Sequence, residues 1–255
     1  MTHVPRKRFG QHFLADPSYV ARIVGALGLS RGDHVVEIGP GLAALTRPLS
    51  ERLDHLHVVE IDRDLAAKLE ADYVDGRVVV HRADALEFDF GALPAPLRVV
   101  GNLPYNISTP LLFHLAQFAA RCRDMHFMLQ KEVVDRMVAA PSTPEYGRLS
   151  VMLQYRFAME KLFDVPPGAF RPPPKVQSAV VRMIPRPASE LIAADEALLG
   201  RIVTAAFTKR RKTLRNALAD YFDAAAMERA GIDPGARPEN LSPDDYVRLA
   251  NLARE

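Results

Sequence analysis

Apolar residues recur along the first half of the chain in two alternating rhythms. Val20, Ile23, Val24 and Leu27 stand at helical spacing behind Asp16-Pro17, an N-cap followed by proline at the first helical position, and Gly28 is placed to end that helix. Short apolar runs then predict strands at 34–38, 57–61, 78–81, 97–101 and 125–130. Helical patterns at 42–53, 65–73 and 110–120 separate them, and a further helix starts near Lys131. Strands alternating with helices of this size predict an α/β fold built on a parallel, doubly wound sheet.

The rhythm changes after that. Residues 149–157 and 176–184 read as strands with no clear helix between them. The proline-rich stretch 166–174 between them reads as a rigid, extended loop, punctuated by the apolar Val165 and Phe170. Pro185-Arg186-Pro187 reads as a linker, and 188–255 as all helix, the last helix opening on Ser242-Pro243-Asp244-Asp245. Two domains are expected, 1–185 and 186–255.

Composition narrows the class. The 255 residues carry 33 Lys plus Arg against 31 Asp plus Glu, a net charge of +2, which excludes a histone-like or acidic-tail protein. It does not exclude a nucleic-acid partner, because clustering matters more than the total. Cys122 is the one cysteine, so no intrachain disulfide and no multi-cysteine zinc site can form. The eight histidines show no metal spacing, and His114 and His126 read as structural. Residues 1–10 are basic and lack a signal peptide's apolar core, and no run approaches the ~18 apolar residues of a membrane span. A cytoplasmic protein with no membrane or metal partner is the expectation.

Chemistry gathers at the predicted strand ends. Val35 to Leu42 is strand, glycine turn, helix, with Gly39 and Gly41 letting backbone approach a ligand closely. Glu60 ends the second strand 19 residues after Gly41, where a carboxylate can accept from two ribose hydroxyls. Asp84 follows the third strand and can accept from an adenine amino group, or serve as a surface N-cap. To this point NAD and S-adenosylmethionine fit equally well.

The two readings part at Asn102-Leu103-Pro104-Tyr105, which ends the fourth strand. It offers no obvious acid or base for hydride chemistry. An exocyclic adenine nitrogen is a poor nucleophile because its lone pair is delocalised into the ring. The Asn102 oxygen and a proline-fixed carbonyl can accept its two hydrogens and aim the lone pair at a methyl group, while Tyr105 stacks on the base.

With these motifs the chain resembles the 16S ribosomal RNA adenine N6-dimethyltransferases over almost its whole length. Phe9-Gly10-Gln11-His12-Phe13-Leu14 is similar to the family's N-terminal cofactor motif, which implies that Gln11, His12 and Leu14 lie at S-adenosylmethionine. The resemblance implies that Gly39 and Gly41 approach its methionine side, Glu60 its ribose and Asp84 its adenine, and that Asn102 is catalytic. Phe170-Arg171-Pro172-Pro173-Pro174-Lys175-Val176 resembles the later target-base motif, which implies that Phe170 stacks on the adenine opposite Tyr105. His12 stands where many members have asparagine, and Ala43 where many have glycine. The implied fold is a Rossmann-like class I methyltransferase sheet with a small all-helical C-terminal domain. The implied activity is dimethylation of two adjacent adenines near the 3′ end of 16S rRNA, by a monomer acting on an assembling small ribosomal subunit.

Two basic clusters fit such a partner. Arg6, Lys7 and Arg8 precede the first motif, and Lys209, Arg210, Arg211, Lys212 and Arg215 form the second. From Arg201 to Asn216 there are six basic residues and no acidic one, although 186–255 carries 11 of each sign. If helical, this stretch puts Arg211 and Arg215 on one face, suited to rRNA phosphates. Residues 208–216 also resemble the family's Thr-Lys-Arg-Arg-Lys-Thr-Leu-Arg-Asn element. Three rivals remain: a relative that methylates large-subunit rRNA, a non-enzymatic assembly factor with a vestigial pocket, and a nicotinamide oxidoreductase.

Overall fold

In the computed structural model, which describes residues 12–253, strands and helices alternate from the start. In chain order they are β1 (Phe13–Leu14), α1 (Pro17–Leu27), β2 (His34–Ile38), α2 (Thr46–Ser50), β3 (Leu56–Glu60), α3 (Arg63–Asp72), β4 (Val78–Arg82) and β5 (Leu97–Asn102). There follow α4 (Ser108–Ala116), β6 (Cys122–Gln130), α5 (Lys131–Val138), α6 (Arg148–Arg156), β7 (Phe157–Val165), β8 (Phe170–Arg171) and β9 (Ser178–Pro185). The last elements are α7 (Glu196–Thr208), α8 (Leu214–Ala217), α9 (Ala224–Arg229) and α10 (Pro243–Leu252).

Seven strands form one sheet in the order β4-β3-β2-β5-β6-β9-β7. The first five are mutually parallel and β9 runs antiparallel to β6. Strands covered on both faces lose their polar alternation, and Val35, Val36, Leu56, Val58, Val99, Val100 and Phe127 are all buried. The chain starts at central β2, winds out through β3 and β4, and returns to β5 on the other side. The β2/β5 boundary is therefore the topological switch point, where the carboxyl ends of such strands leave a crevice. A separate two-stranded ribbon pairs β1 with β8 antiparallel, setting Leu14 opposite Phe170 and Phe13 opposite Arg171.

Local signals hold where they were strongest. The Asp16 carboxylate caps α1 by accepting from the Ser18 N–H, Ile23, Val24 and Leu27 are buried, and Gly28 ends the helix at φ 52°. Boundaries of most other elements move by a few residues. Two expectations need correction. The helix expected over 42–53 is only α2, because Gly39, Gly41 and Ala43 all take positive φ, 68°, 57° and 66°, which no right-handed helix allows. The strand expected over 149–157 is α6, a helix. Its alternation misleads because polar side chains also turn inward: Gln154 donates to the Met137 and Ala139 carbonyls, and Ser150 to that of Arg136.

The chain divides into two compact units, 1–134 with 160–185, and 135–159 with 186–255. This differs from the expected 1–185 and 186–255, because α6 packs with the later helices rather than with the sheet. In the second unit Val151, Leu199, Ile202, Val203, Leu214, Leu218 and Tyr246 share one core. Tyr146 and Tyr246 are wholly buried, and their hydroxyls donate to the Leu241 and Pro238 carbonyls at 2.8 Å each, so neither polar tip is left unsatisfied. The α10 cap is as expected, with the Ser242 hydroxyl accepting from the Asp245 N–H.

Candidate active site

At the switch point one cleft gathers the ends of β2, β3, β4 and β5. Its walls include His12, Leu14, Gly39, Gly41, Glu60, Asp84, Asn102, Leu103, Pro104 and Tyr105. The structure thus brings together residues that lie up to 93 positions apart, from His12 to Tyr105. Gln11, Arg6, Lys7 and Arg8 lie outside the described residues.

The floor is the glycine turn. A Cβ at Gly41 would sit 3.0 Å from the Phe13 ring, and φ there is +57°, so both space and conformation demand glycine. At Gly39 a Cβ would meet the Asn102 carbonyl at an ordinary 3.8 Å, and only the φ of +68° demands glycine. Gly41 donates its N–H to Glu60 Oε2 at 3.1 Å, and Asp62 donates its N–H to Oε1 at 2.9 Å. Each Glu60 oxygen keeps a lone pair for a hydroxyl. Burial raises the Glu60 pKa and the main-chain donors oppose that shift. Asp84 Oδ1 accepts from the Leu86 N–H at 2.9 Å in a local turn with no helix to cap, and the residue lines the cleft.

Three contributors escaped the sequence reading. Glu37, 2% exposed, lines the cleft with Oε2 unpartnered, and burial pushes its carboxyl up to about 8. A lone acid inside the apolar run of β2 was the available signal. Gly101 is the second: a Cβ there would lie 2.6 Å from the Ile38 carbonyl, so only glycine lets β5 approach β2 with Asn102 next in line. Leu42 and Ile61 are the third, exposed apolar side chains on the cleft that flank the glycine turn and Glu60.

At the β5 end, Asn102 Nδ2 donates to the His12 carbonyl at 2.9 Å. A carbonyl can only accept, so the amide nitrogen must face it, and among the described residues Oδ1 is left as an acceptor without a donor. The Leu103 N–H donates to Met128 O and the Ile107 N–H to Pro104 O, which sets the turn. The Tyr105 hydroxyl is 2.7 Å from Ser178 Oγ, burial raises its pKa, and the His12 ring stacks on it at 5.7 Å between centroids. Phe170 does not meet its expected role here. It is wholly buried among Leu14, Ile23, Val24 and Val165, an anchor of the β1/β8 ribbon with no ring face on the cleft.

The basic element in the second unit also differs from expectation. α7 ends at Thr208 and α8 starts at Leu214, so 209–213 is a turn and no single helix carries Arg211 and Arg215 on one face. Arg210 Nε donates to Glu239 at 2.6 Å and Nη2 to the Pro144 carbonyl at 2.9 Å, a structural tie. Lys209 lies 3.9 Å from Asp220. Arg211, Lys212 and Arg215 are exposed and make no ion pair among the described residues. His114 and Cys122 are structural: His114 Nε2 meets Phe88 O at 2.9 Å, and burial pushes the Cys122 thiol up to about 12.

Comparison with known proteins gives one consistent neighbourhood. A family model described as ribosomal RNA adenine dimethylase matches residues 2–255. A ribosomal RNA small subunit methyltransferase A of Aromatoleum aromaticum is 65% identical over 249 residues, 98% of this chain and 94% of that one. Its counterpart in Chromobacterium violaceum is 62% identical over 250 residues, 98% and 95% of the two chains. Among solved structures, a dimethyladenosine transferase from Plasmodium falciparum shares the fold at TM-score 0.83 and 24% identity, covering 93% of this chain and 96% of that one. The 23S rRNA methyltransferase ErmE matches at TM-score 0.72 and 28% identity, covering 95% and 100%.

Proposed function

The chain belongs to the ribosomal RNA adenine dimethylase family, and on that premise we propose that it methylates N6 of two adjacent adenines near the 3′ end of 16S rRNA, twice each, in an assembling small ribosomal subunit in the cytoplasm. Identity of 62–65% to small-subunit enzymes, against 28% to a large-subunit one, favours the small subunit. Among the described residues no helix is long and apolar enough to cross a membrane.

The cleft suits S-adenosylmethionine. The Glu60 carboxylate suits a ligand bearing ribose hydroxyls, a buried Glu37 oxygen is unpartnered among the described residues, and the Gly39 backbone carries no side chain to keep a ligand away. Gly39 and Gly41 would take the methionine side, Glu60 the ribose and Asp84 the adenine, with His12, Leu14 and Asn102 beside them. When bound, the cofactor supplies a methyl group on a positively charged sulfur.

The single observation that carries the reading is the orientation of Asn102. Its amide is turned by the His12 carbonyl so that Oδ1 is left to accept. That oxygen, with a main-chain carbonyl of Leu103-Pro104, takes the two amino hydrogens of an adenine and holds its lone pair out of conjugation. Tyr105, fixed at its hydroxyl by Ser178, offers the base a ring face. Methylation leaves N6 strongly acidic, so its proton departs to water and no strong base is required. Reaching Asn102 requires an unstacked base, at a cost of about a few kcal/mol.

The test is methyl transfer to small-subunit particles from a strain lacking this protein, beside large-subunit rRNA. Transfer to the former with two dimethyladenosines formed is expected. Transfer to large-subunit rRNA alone would overturn the proposal. Asn102→Ala should cut the rate by about 10²–10³ while rRNA binding persists. Unchanged ribosome maturation with Asn102→Ala would instead favour a binding role.

A further inference from the structure

His12 joins three parts of the site that sequence places far apart. Its carbonyl accepts from Asn102 Nδ2 at 2.9 Å, its ring lies 5.7 Å from that of Tyr105 at an interplanar angle of 28°, and its Nδ1 lies 2.9 Å from the Pro172 carbonyl. A proline carbonyl can only accept, so Nδ1 carries the hydrogen and donates. Pro172 directly follows β8, and Ser178, the first residue of β9, meets the Tyr105 hydroxyl at 2.7 Å. The 172–178 segment is therefore tied at one end to His12 and at the other to Tyr105, while His12 and Tyr105 stack on each other. The circuit closes around the base platform. An open loop there would let the platform tilt, and misplacement by about 1 Å costs ~10²-fold in a reaction driven by positioning.

We infer that His12 is a positioning residue for the target base: its side chain clasps the 172–178 segment against Tyr105 and so presets the wall that the adenine meets beside Asn102. The inference rests on the adenine-methyltransferase reading and adds a role distinct from cofactor contact. The Asn102 tether uses the His12 main chain and survives any side-chain replacement, which isolates the clasp.

His12→Asn retains an N–H near the place of Nδ1, because the amide overlays that edge of the imidazole. His12→Phe retains a ring and loses the donor. Ser178→Ala cuts the opposite tether. Each is measured for S-adenosylmethionine affinity by calorimetry, for single-turnover methyl transfer at saturating cofactor, and for fluorescence of 2-aminopurine replacing the target adenine. Cofactor affinity should stay within about threefold in Ser178→Ala, and saturating cofactor separates the turnover readout from any change of affinity in the His12 variants. His12→Phe and Ser178→Ala should each slow single turnover about tenfold and diminish the 2-aminopurine change. His12→Asn should recover most of the single-turnover rate that His12→Phe loses.

Wild-type turnover in His12→Phe, or a defect confined to cofactor affinity, would overturn the inference. So would a His12→Asn variant as slow as His12→Phe. Should His12→Phe fail to fold, shown by circular dichroism, a wild-type rate in Ser178→Ala overturns it alone. No methyl transfer by the unsubstituted chain would overturn the enzymatic reading itself, and this inference with it.

Discussion

The carboxylate of Glu60 accepts the main-chain N–H of Gly41 at 3.1 Å, so the acid that ends β3 holds the glycine turn that ends β2. The same carboxylate also takes the Asp62 N–H at 2.9 Å. One side chain thereby shapes the floor of the cleft and presents acceptors to what lies on it. Glu60→Gln replaces one acceptor oxygen with an NH₂ that must face an N–H. Hydrogen bonds to charged groups are worth about 1.5–3 kcal/mol, so S-adenosylmethionine affinity should fall about 10–100-fold by calorimetry. The fold, read by circular dichroism, should persist.

Arg98 is the second electrostatic keystone, at the far end of the sheet from the cleft. The residue is 3% exposed, and its guanidinium pairs with Asp33 at 2.8 Å and Asp124 at 2.6 Å and donates to the Leu27 and Gly28 carbonyls at the end of α1. Arg98→Met would leave Asp124 buried without its cation. Breaking such a pair from one side costs about 3–5 kcal/mol. Thermal unfolding should shift accordingly, with Arg98→Lys intermediate because an ammonium cannot fork to two carboxylates.

His126 should make stability fall in acid. Burial pushes its pKa down to about 4, with Asp124 opposing the shift and Arg98 and Arg182 adding to it. Above the unfolded value of 6.5 the ring is neutral in both states and nothing is lost. Between 6.5 and about 4 the unfolded chain binds a proton that the folded chain refuses, and the loss grows to about 3 kcal/mol. His126→Phe should flatten chemical-denaturation stability over that window. An unchanged slope would show that other groups govern it.

The basic element should split into two roles. Arg211, Lys212 and Arg215 are exposed and free of ion pairs among the described residues, whereas Arg210 is bound to Glu239 and Pro144. Replacing the first three with alanine should weaken rRNA binding and reduce its log-log salt slope by about one for each phosphate no longer neutralised. Arg210→Ala should lower the melting temperature and leave that slope nearly unchanged. Filter binding across a salt series separates the two.

How far the sequence reached depended on the range of the interaction. Short-range rules settled α1, whose cap, buried stripe and terminal glycine all lie within 13 residues, Asp16 to Gly28. They also settled the alternation of strands and helices and the gathering of the strand-end motifs in one cleft, because a parallel sheet must gather its carboxyl edges at a switch point. Tertiary structure decided the rest. Residues 149–157 read as a strand, yet 148–156 fold as α6, where Gln154 and Ser150 find carbonyls near the end of α5 that no local pattern reveals. Phe170 sits in a motif that reads as a base-stacking element, yet pairing of β8 with β1 turns it into the core. Gly101 must be glycine only because β2 lies against it, and His12 gains its partners across 90 and 160 residues. Local preference acts through neighbours along the backbone. Burial, charge and hydrogen-bond partnership act through neighbours in space, and those exist only once the sheet has formed.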